Sequence, residues 1–548
     1  WSLGPPRRSS LTPISPLFSP MAVARLLSLV CVAAVLCPPS VVSQTCKEGD
    51  KCSEGGGGKL LIKGGIVVNE DVEMISDILI DNGHIQLIAT EIAADSETRV
   101  VDARGKYVMP GGIDPHTHLE MPFMGEVACD TFATGHQAAL AGGTTMHIDF
   151  ALPVDGSLVK GWEEWRKKAA KANMDYGFHM AVTAWNDKVA EEMEYLAKNK
   201  GVNSYKFFMA YKGALMVTDE QLVEGFRHCK KIGALAQVHA ENGDAVAAGQ
   251  KYIAEELQIL GPEGHALSRP AILEVEATER AINLAAWVNT PLYVVHVMSK
   301  GAMEAVARAR QAGYRIIGEP TAAGLTLDES KMWDPDFKTA AAHVMSPPIR
   351  KHDVDGIALQ NALKNRVLSL VATDHAVFNS TQKAKGKHDF RVLPNGVNGL
   401  EERIPVLWTT MVNTGKITPM DFVRITSTEA ARIFNVYPQK GVIREGSDAD
   451  LYVLDPTVEY TISPQTHHSA LDTNVFEGIK CRGKVVTTIS RGDIVWDNNQ
   501  LFTKDGRGQY IETKPFSPYL FGGLEQEEAL KRAEMNAPVK RNLDKIYA

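Results

Sequence analysis

The chain has 548 residues, too many for one simple core, so more than one structural unit is expected. Its composition is that of a soluble globular protein, 44% hydrophobic and 23% charged. A formal net charge of -8, with scattered basic residues, excludes nucleic acid as an expected partner.

Residues 1–20 are rich in Ser and Pro and read as a leader outside the fold. From Met21 the pattern is that of a secretory signal: Arg25, an apolar run over 26–36, then Cys37-Pro38-Pro39 as a breaker, with small residues suited to cleavage near Ser43. That run is shorter than the about 20 apolar residues that span a bilayer, which sets the competing reading, a membrane anchor, second and leaves no stable span expected after cleavage. A signal peptide over 21–43 implies the secretory pathway, an endomembrane or the extracellular space, with the cytoplasm as the alternative. Four of the seven cysteines (Cys31, Cys37, Cys46, Cys52) fall in or just after this region. The other three, Cys129, Cys229 and Cys481, are far apart, so no disulfide framework is expected, although Cys46 and Cys52 could pair in an oxidising lumen. Residues 44–58, with their glycine run, form a linker.

Residues 59–108 read as short strands at 60–68, 78–80 and 84–88, with turn signals at Gly64-Gly65 and Asp81-Asn82-Gly83. Their counterpart lies at 441–500, with strands at 449–454, 485–489 and 493–496. Two strand-rich ends around a long alternating middle predict one small β-sandwich built from both ends of the chain. The middle, 109–440, opens with an apolar strand over 108–118, interrupted at Pro110-Gly111-Gly112. Seven more strands follow at 144–150, 176–183, 204–209, 235–239, 292–297, 314–318 and 367–372. Helical periodicity intervenes at 162–171, 189–199, 219–232, 271–288, 301–312 and 354–364. Eight strands with helical crossovers predict an α/β fold, a (β/α)8 barrel. Residues 501–548 form a C-terminal extension whose charged helical end reads as an exposed tail or oligomer arm.

His116 and His118 stand at i and i+2, so their side chains point the same way from a strand. Two imidazoles on one side of a strand end make half of a metal site. For an isolated His-x-His, solvated or core histidines remain the better reading. The other strands decide, because reactive residues of such barrels sit at the C-terminal ends of strands. Strand five ends at His239, strand six carries His296, and Asp374 follows strand eight. Recurrence of metal-ligand types at so many strand ends reads as a metal site. Strand four carries Lys206 among apolar and aromatic neighbours, where burial lowers the pKa and exposes a nucleophilic amine. Such an amine can add carbon dioxide to give a carbamate, in effect a carboxylate able to bridge two metals. A snorkelling lysine, or one that binds an anionic substrate, fits the same position.

Six motifs carry a resemblance: Pro110-Gly-Gly-Ile-Asp-Pro-His-Thr-His118, Tyr205-Lys-Phe-Phe-Met-Ala-Tyr-Lys212, Val238-His-Ala-Glu-Asn-Gly243, Met345-Ser-Pro-Pro348, Thr373-Asp-His375 and Pro394-Asn-Gly-Val-Asn-Gly399. Over about residues 59–524 the chain resembles the hydantoinase/dihydropyrimidinase family of the cyclic amidohydrolase superfamily. The resemblance implies two Zn2+ per subunit, held by His116, His118, Lys206, His239, His296 and Asp374, with Lys206 carboxylated by CO2 to N6-carboxylysine. It implies substrate contacts at Tyr211, Ser346 and Asn395, a small neutral cyclic amide as substrate, and a homotetramer. The implied reaction is reversible ring opening of 5,6-dihydrouracil to N-carbamoyl-β-alanine, and of dihydrothymine likewise. Asp374 would move the proton and the Tyr211 hydroxyl would stabilise the oxyanion.

A hydantoinase- or allantoinase-like amidase is the nearest alternative. Relatives of the collapsin-response-mediator type are scaffolds that lack several ligands, whereas every ligand position is filled here. Dihydroorotases place an Arg two residues after the second histidine. Glu120, followed by Met121-Pro-Phe123, stands there in this chain, so an uncharged ring is expected, with the Glu120 charge repelling a substrate carboxylate if it points inward.

Overall fold

The computed structural model describes residues 58–536, together with 539 and 541. The signal segment 21–43, the linker cysteines Cys46 and Cys52, and the last stretch of the tail lie outside the described residues.

Strands β1 (Leu60–Val68), β2 (Glu73–Asp81) and β3 (His84–Ala89) form an antiparallel meander. The turn signal between β2 and β3 is used as such: Asn82 and Gly83 both take positive φ, at 51° and 79°. That backbone matches the right-handed twist of a two-residue hairpin. β4 (Arg99–Asp102) and β5 (Tyr107–Pro110) both lie parallel to β1. At Gly111 the chain leaves this sheet. A Cβ there would stand 2.0 Å from Thr145 Oγ1, so the crossing needs glycine.

The chain then enters the barrel as β6 (Gly112–Thr117) and makes a small hairpin, β7 (Pro122–Phe123) with β8 (Glu126–Val127). β9 (Thr144–Ala151), β10 (Asp175–Val182), β11 (Ser204–Phe208), β12 (Leu235–His239), β13 (Leu292–Val294) and β14 (Ile316–Gly318) complete a curled parallel sheet in the order β14-β13-β12-β11-β10-β9-β6. Every residue of these strands is buried. Parallel strands covered on both faces read as continuous apolar runs rather than alternating ones.

The eighth strand expected at 367–372 is not a regular strand. Residues 372 and 375 close the ring through single bridges, Thr321 to Ala372 and Thr117 to His375. Pro320, opposite this segment, has no N–H to give, and the Val371 N–H turns to Ile425 O instead. Helices Asp219–Ile232 and Ala271–Val288 occupy the expected spans. Helix Phe132–Ala141 is absent from the helices that periodicity predicts; most of it is buried, so its Ala-rich run shows no wide polar face.

β15 (Leu451–Thr461), β16 (Lys480–Ser490), β17 (Asp493–Asp497) and β18 (Gln500–Leu501) return to the first sheet, β15 pairing antiparallel with β5. The unit built from both ends is thus one continuous nine-stranded sheet. It curls over a shared core in which Ile62, Ile78, Ile80 and Val108 pack with Leu451, Val453 and Ile489.

Beyond it the chain runs back under the barrel. The backbones of Gln509 and Ile511 bond Tyr176, Thr513 bonds Gly201, and Phe516 bonds Gly233. Helix Leu524–Met535 is then held by Glu528 on Lys230 (2.9 Å) and Glu527 on Arg315 (2.7 Å).

Candidate metal centre

The end of β6 is fixed before any ligand is considered. Thr117 Oγ1 donates to Asp149 Oδ2 at 2.7 Å, and the same oxygen accepts the Leu119 N–H at 2.9 Å. Trp165 Nε1 donates to the other Asp149 oxygen. Asp114 reaches across to the segment that carries Asp374, accepting from Thr373 Oγ1 at 2.6 Å. Buried polar groups that are fully bonded in this way hold one conformation.

On that frame the His116 and His118 Nε2 atoms each stand 3.1 Å from Asp374 Oδ1. The ligand atoms of these three buried residues lie within 4.8 Å of one another. Lys206 Nζ is 3.1 Å from His116 Nε2. The His296 ring lies 5.4 Å from that of His116 and 4.5 Å from that of His239. Tyr211 packs against His239, its ring 5.1 Å away. Asn395 Nδ2 donates to Ser346 Oγ at 3.0 Å. A cavity of about 330 Å³ is lined by eight of the nine residues expected from the sequence, with His116 fully buried behind them. The rest of its wall is largely apolar, with Met121, Pro122, Phe123, Leu152 and Phe208.

Three of the nine hold left-handed backbone: His296 at φ 38°, Asp374 at 54° and Tyr211 at 62°. Such residues cost about 1–3 kcal/mol each and persist where the surroundings over-determine them, typically at functional sites.

Burial lowers the Lys206 amine to about 8, against the opposing pull of Asp374 and Glu319. Burial also takes His118 down to about 4 and His296 well below its ordinary value, which leaves their lone pairs available. His116 differs. Burial and Lys206 push it down, but the Glu319 and Asp374 carboxylates leave it above its ordinary value. Burial would raise Asp374, yet His116 and His118 hold it well below the usual carboxylate range.

His118 Nδ1 and both ring nitrogens of His296 are buried without a hydrogen-bond partner. Buried nitrogens that bond nothing are costly. Together with the Asp374 carboxylate and the amine of Lys206, they fit a site for divalent metal ions of the zinc type.

Two outer carboxylates escaped the sequence reading. Glu319 Oε1 accepts from His116 Nδ1 at 2.6 Å and turns Nε2 towards Lys206 and Asp374; Tyr293 bonds its other oxygen. Glu241 Oε2 accepts from His239 Nε2 at 2.9 Å and pairs with Arg269 at 2.8 Å. Carboxylates behind ligating histidines fix tautomer and ring orientation. Both follow the ends of strands, Glu319 directly after β14 and Glu241 two residues after His239, and that position was the available signal.

One expectation is corrected. Glu120 does not face the cavity: its Oε1 accepts the Phe132 N–H at 3.0 Å and caps helix Phe132–Ala141. A carboxylate at a helix N-terminus meets unpaired N–H groups and the positive end of the dipole.

A barrel with histidines, a lysine and an aspartate gathered at its strand ends is the architecture of a metal-dependent hydrolase. The Amidohydrolase family model matches residues 107–495, and the chain belongs to that family. It is 56% identical over 503 residues to a dihydropyrimidinase of Arabidopsis thaliana, covering 91% of this chain and 94% of that one. It is 48% identical over 476 residues to the dihydropyrimidinase of Rattus norvegicus, covering 86% and 92%. Among solved structures, dihydropyrimidinase from Brevibacillus agri superposes with a TM-score of 0.82 at 44% identity, covering 84% of this chain and 99% of that one. A D-hydantoinase from a Bacillus species gives 0.81 at 43%, covering 83% and 99%.

These relatives also correct the expected location. The secretory or extracellular placement rested on residues 21–43 alone, outside the described residues, and the cytoplasmic alternative fits the relatives better.

Proposed function

We propose that this chain is a dihydropyrimidinase that opens 5,6-dihydrouracil to N-carbamoyl-β-alanine, and dihydrothymine likewise, at a binuclear zinc site. The observation that carries the reading is a complete set of ligand side chains around one largely apolar cavity, in a chain 56% identical to a dihydropyrimidinase. His116, His118, His239, His296 and Asp374 would hold the metals, with Lys206 bridging them as its N6-carboxy derivative. Its place between Phe150 and Phe208, with an amine drawn down to about 8, favours addition of carbon dioxide. Bound zinc supplies Lewis acidity and a nucleophilic water near neutral pH.

Asp374 takes the proton of the attacking water and passes it to the ring nitrogen that leaves. Its carboxylate is kept ionised between His116 and His118, so the acceptor oxygen is unprotonated when water attacks. The Tyr211 hydroxyl, which burial keeps protonated, donates to the oxygen that becomes negative. Ser346 and Asn395 hold the amide edge of the ring. The apolar wall of Met121, Pro122 and Phe123 covers its methylene side and excludes water. The working form is a homotetramer in this reading, which light scattering on the purified protein checks.

The test is kcat/KM for dihydrouracil and for dihydroorotate, which adds a carboxylate at C6. Among the described residues that line the cavity, Lys206 is the one with a cationic side chain, and it is committed to the metals. An unpaired carboxylate in such a wall costs several kcal/mol, so discrimination of about a thousandfold or more is expected. Comparable values would overturn the reading. A hydantoin ring presents the same amide edge, and the likeness to a D-hydantoinase structure fits activity on it as well.

A further inference from the structure

Lys383 is a buried lysine that none of the chemistry above uses. It is 4% exposed, and among the described residues no carboxylate forms an ion pair with it. Its Nζ points instead at backbone carbonyls: Gly396 O at 2.8 Å, Ala341 O at 2.9 Å, Val344 O at 3.2 Å and Ala342 O at 3.5 Å. An ammonium has three donors and strong hydration, so its burial is tolerated only where acceptors replace that water.

The four carbonyls belong to two segments far apart in sequence. One is the end of helix Phe337–Ala342 and the turn after it, which leads to Ser346. The other is Gly396, next to Asn395. The Gly396 N–H donates to Val344 O at 2.8 Å, and Asn395 Nδ2 donates to Ser346 Oγ at 3.0 Å. His265 Nε2 donates to Met345 O at 2.8 Å and steadies the first segment from a third side. Ser346, Asn395 and Gly396 all line the cavity.

We propose that Lys383 is a positioning residue for substrate: its buried side-chain nitrogen ties the 341–346 and 394–396 segments together from behind and sets the spacing at which Ser346 and Asn395 meet the amide edge of the ring. This rests on the reading of Ser346 and Asn395 as substrate contacts. Lys383 touches no expected metal ligand, so its removal separates binding from chemistry. A clamp that places both polar contacts acts on ground state and transition state alike, which appears in KM rather than kcat.

The test is steady-state kinetics of Lys383→Met, which keeps the length of the side chain and removes its donors. KM for dihydrouracil should rise about tenfold or more, the effect of losing the hydrogen bonds to the carbonyl cage, with kcat within about threefold of wild type and metal content unchanged. Lys383→Gln, which restores two N–H donors, should recover part of the loss. A purely structural lysine would lower the melting temperature and leave KM alone, and a wild-type KM in Lys383→Met overturns the proposal. Hydrogen exchange on the wild-type protein is the second measurement and needs no variant to fold. The Gly396 amide should exchange slowly in the substrate-free protein, and rapid exchange there overturns the clamp. A wild-type protein that opens no cyclic amide would instead defeat the functional reading, and the exchange result would still judge the clamp.

Discussion

Among the described residues, two buried clusters bring three ligand-type side chains within 4.8 Å of one another: His116, His118 and Asp374 at one end of the barrel, and Asp175, Asp448 and Asp450 at the other. By spacing and burial they are equals. They differ in what already stands among them. In the second cluster Lys440 Nζ lies 2.6 Å from Asp175 and 2.9 Å from Asp448, and it bonds Asp450 as well. Arg491 adds a contact to Asp175 at 3.2 Å. These carboxylates have their cation, supplied by the chain. In the first cluster His118 keeps a buried Nδ1 with no hydrogen-bond partner, and His296, its ring 5.4 Å from that of His116, brings two more such nitrogens to its side. Crowded ligands therefore do not mark a metal site by themselves; ligands left unsatisfied do. The second cluster fastens instead: it joins the start of β10 to residues 440–450, and through the Gln509 N–H on Asp175 it also holds the C-terminal segment.

The largest difference between the clusters should come from Lys206→Ala. Without a shared anion, two close metal ions repel, so metal and activity should go together, with kcat/KM down by about 10⁴ or more. Short carboxylic acids should restore part of it. Normal turnover in Lys206→Ala would remove the bridge from the site. Lys440→Met should do the reverse. Three carboxylates would lose their cation, and breaking a buried ion pair costs about 3–5 kcal/mol, read as a fall in denaturation midpoint, while zinc content and KM of the folded protein stay put. Retained stability would show that Lys440 is dispensable, and a gain of bound metal at the vacated cluster would erase the contrast. Smaller again is Asp374→Asn. With the proton acceptor gone, kcat should fall about a hundredfold, or 2.7 kcal/mol, in a protein that keeps its fold and much of its metal. A rate within a few-fold of wild type would assign the proton to another group.

The sequence was most legible where one side chain does its work at a strand end. His116, His118, His239, His296 and Asp374 could be placed because barrel strands aim their C-terminal residues at one point. Tyr211, Ser346 and Asn395 lie on loops, and loop conformation is set by contacts such as the Lys383 cage that no local pattern announces. Those three came with the family resemblance rather than with periodicity. Glu319 and Glu241 were passed over because a lone carboxylate after a strand is common, and its partner, a histidine nitrogen, is 203 residues away in one case. The direction of Glu120 was left open by the sequence, because a carboxylate near a site can turn to a helix end instead, as it does here. The eighth strand failed for a backbone reason: Pro320 withholds the N–H that a regular ladder needs. Both ends of the chain were legible as β-rich halves of one unit, whereas the particular pairing that joins them, β5 with β15 in a single sheet, is a long-range contact that no local pattern specifies.

Zinc per chain in the purified wild-type protein, set against its turnover of dihydrouracil, tests the central claim most directly. Two zinc ions per chain, removed by chelator together with activity and restored with it, are expected. A zinc-free protein that added zinc neither binds nor activates would contradict the metal centre and leave the chain a scaffold on a hydrolase fold.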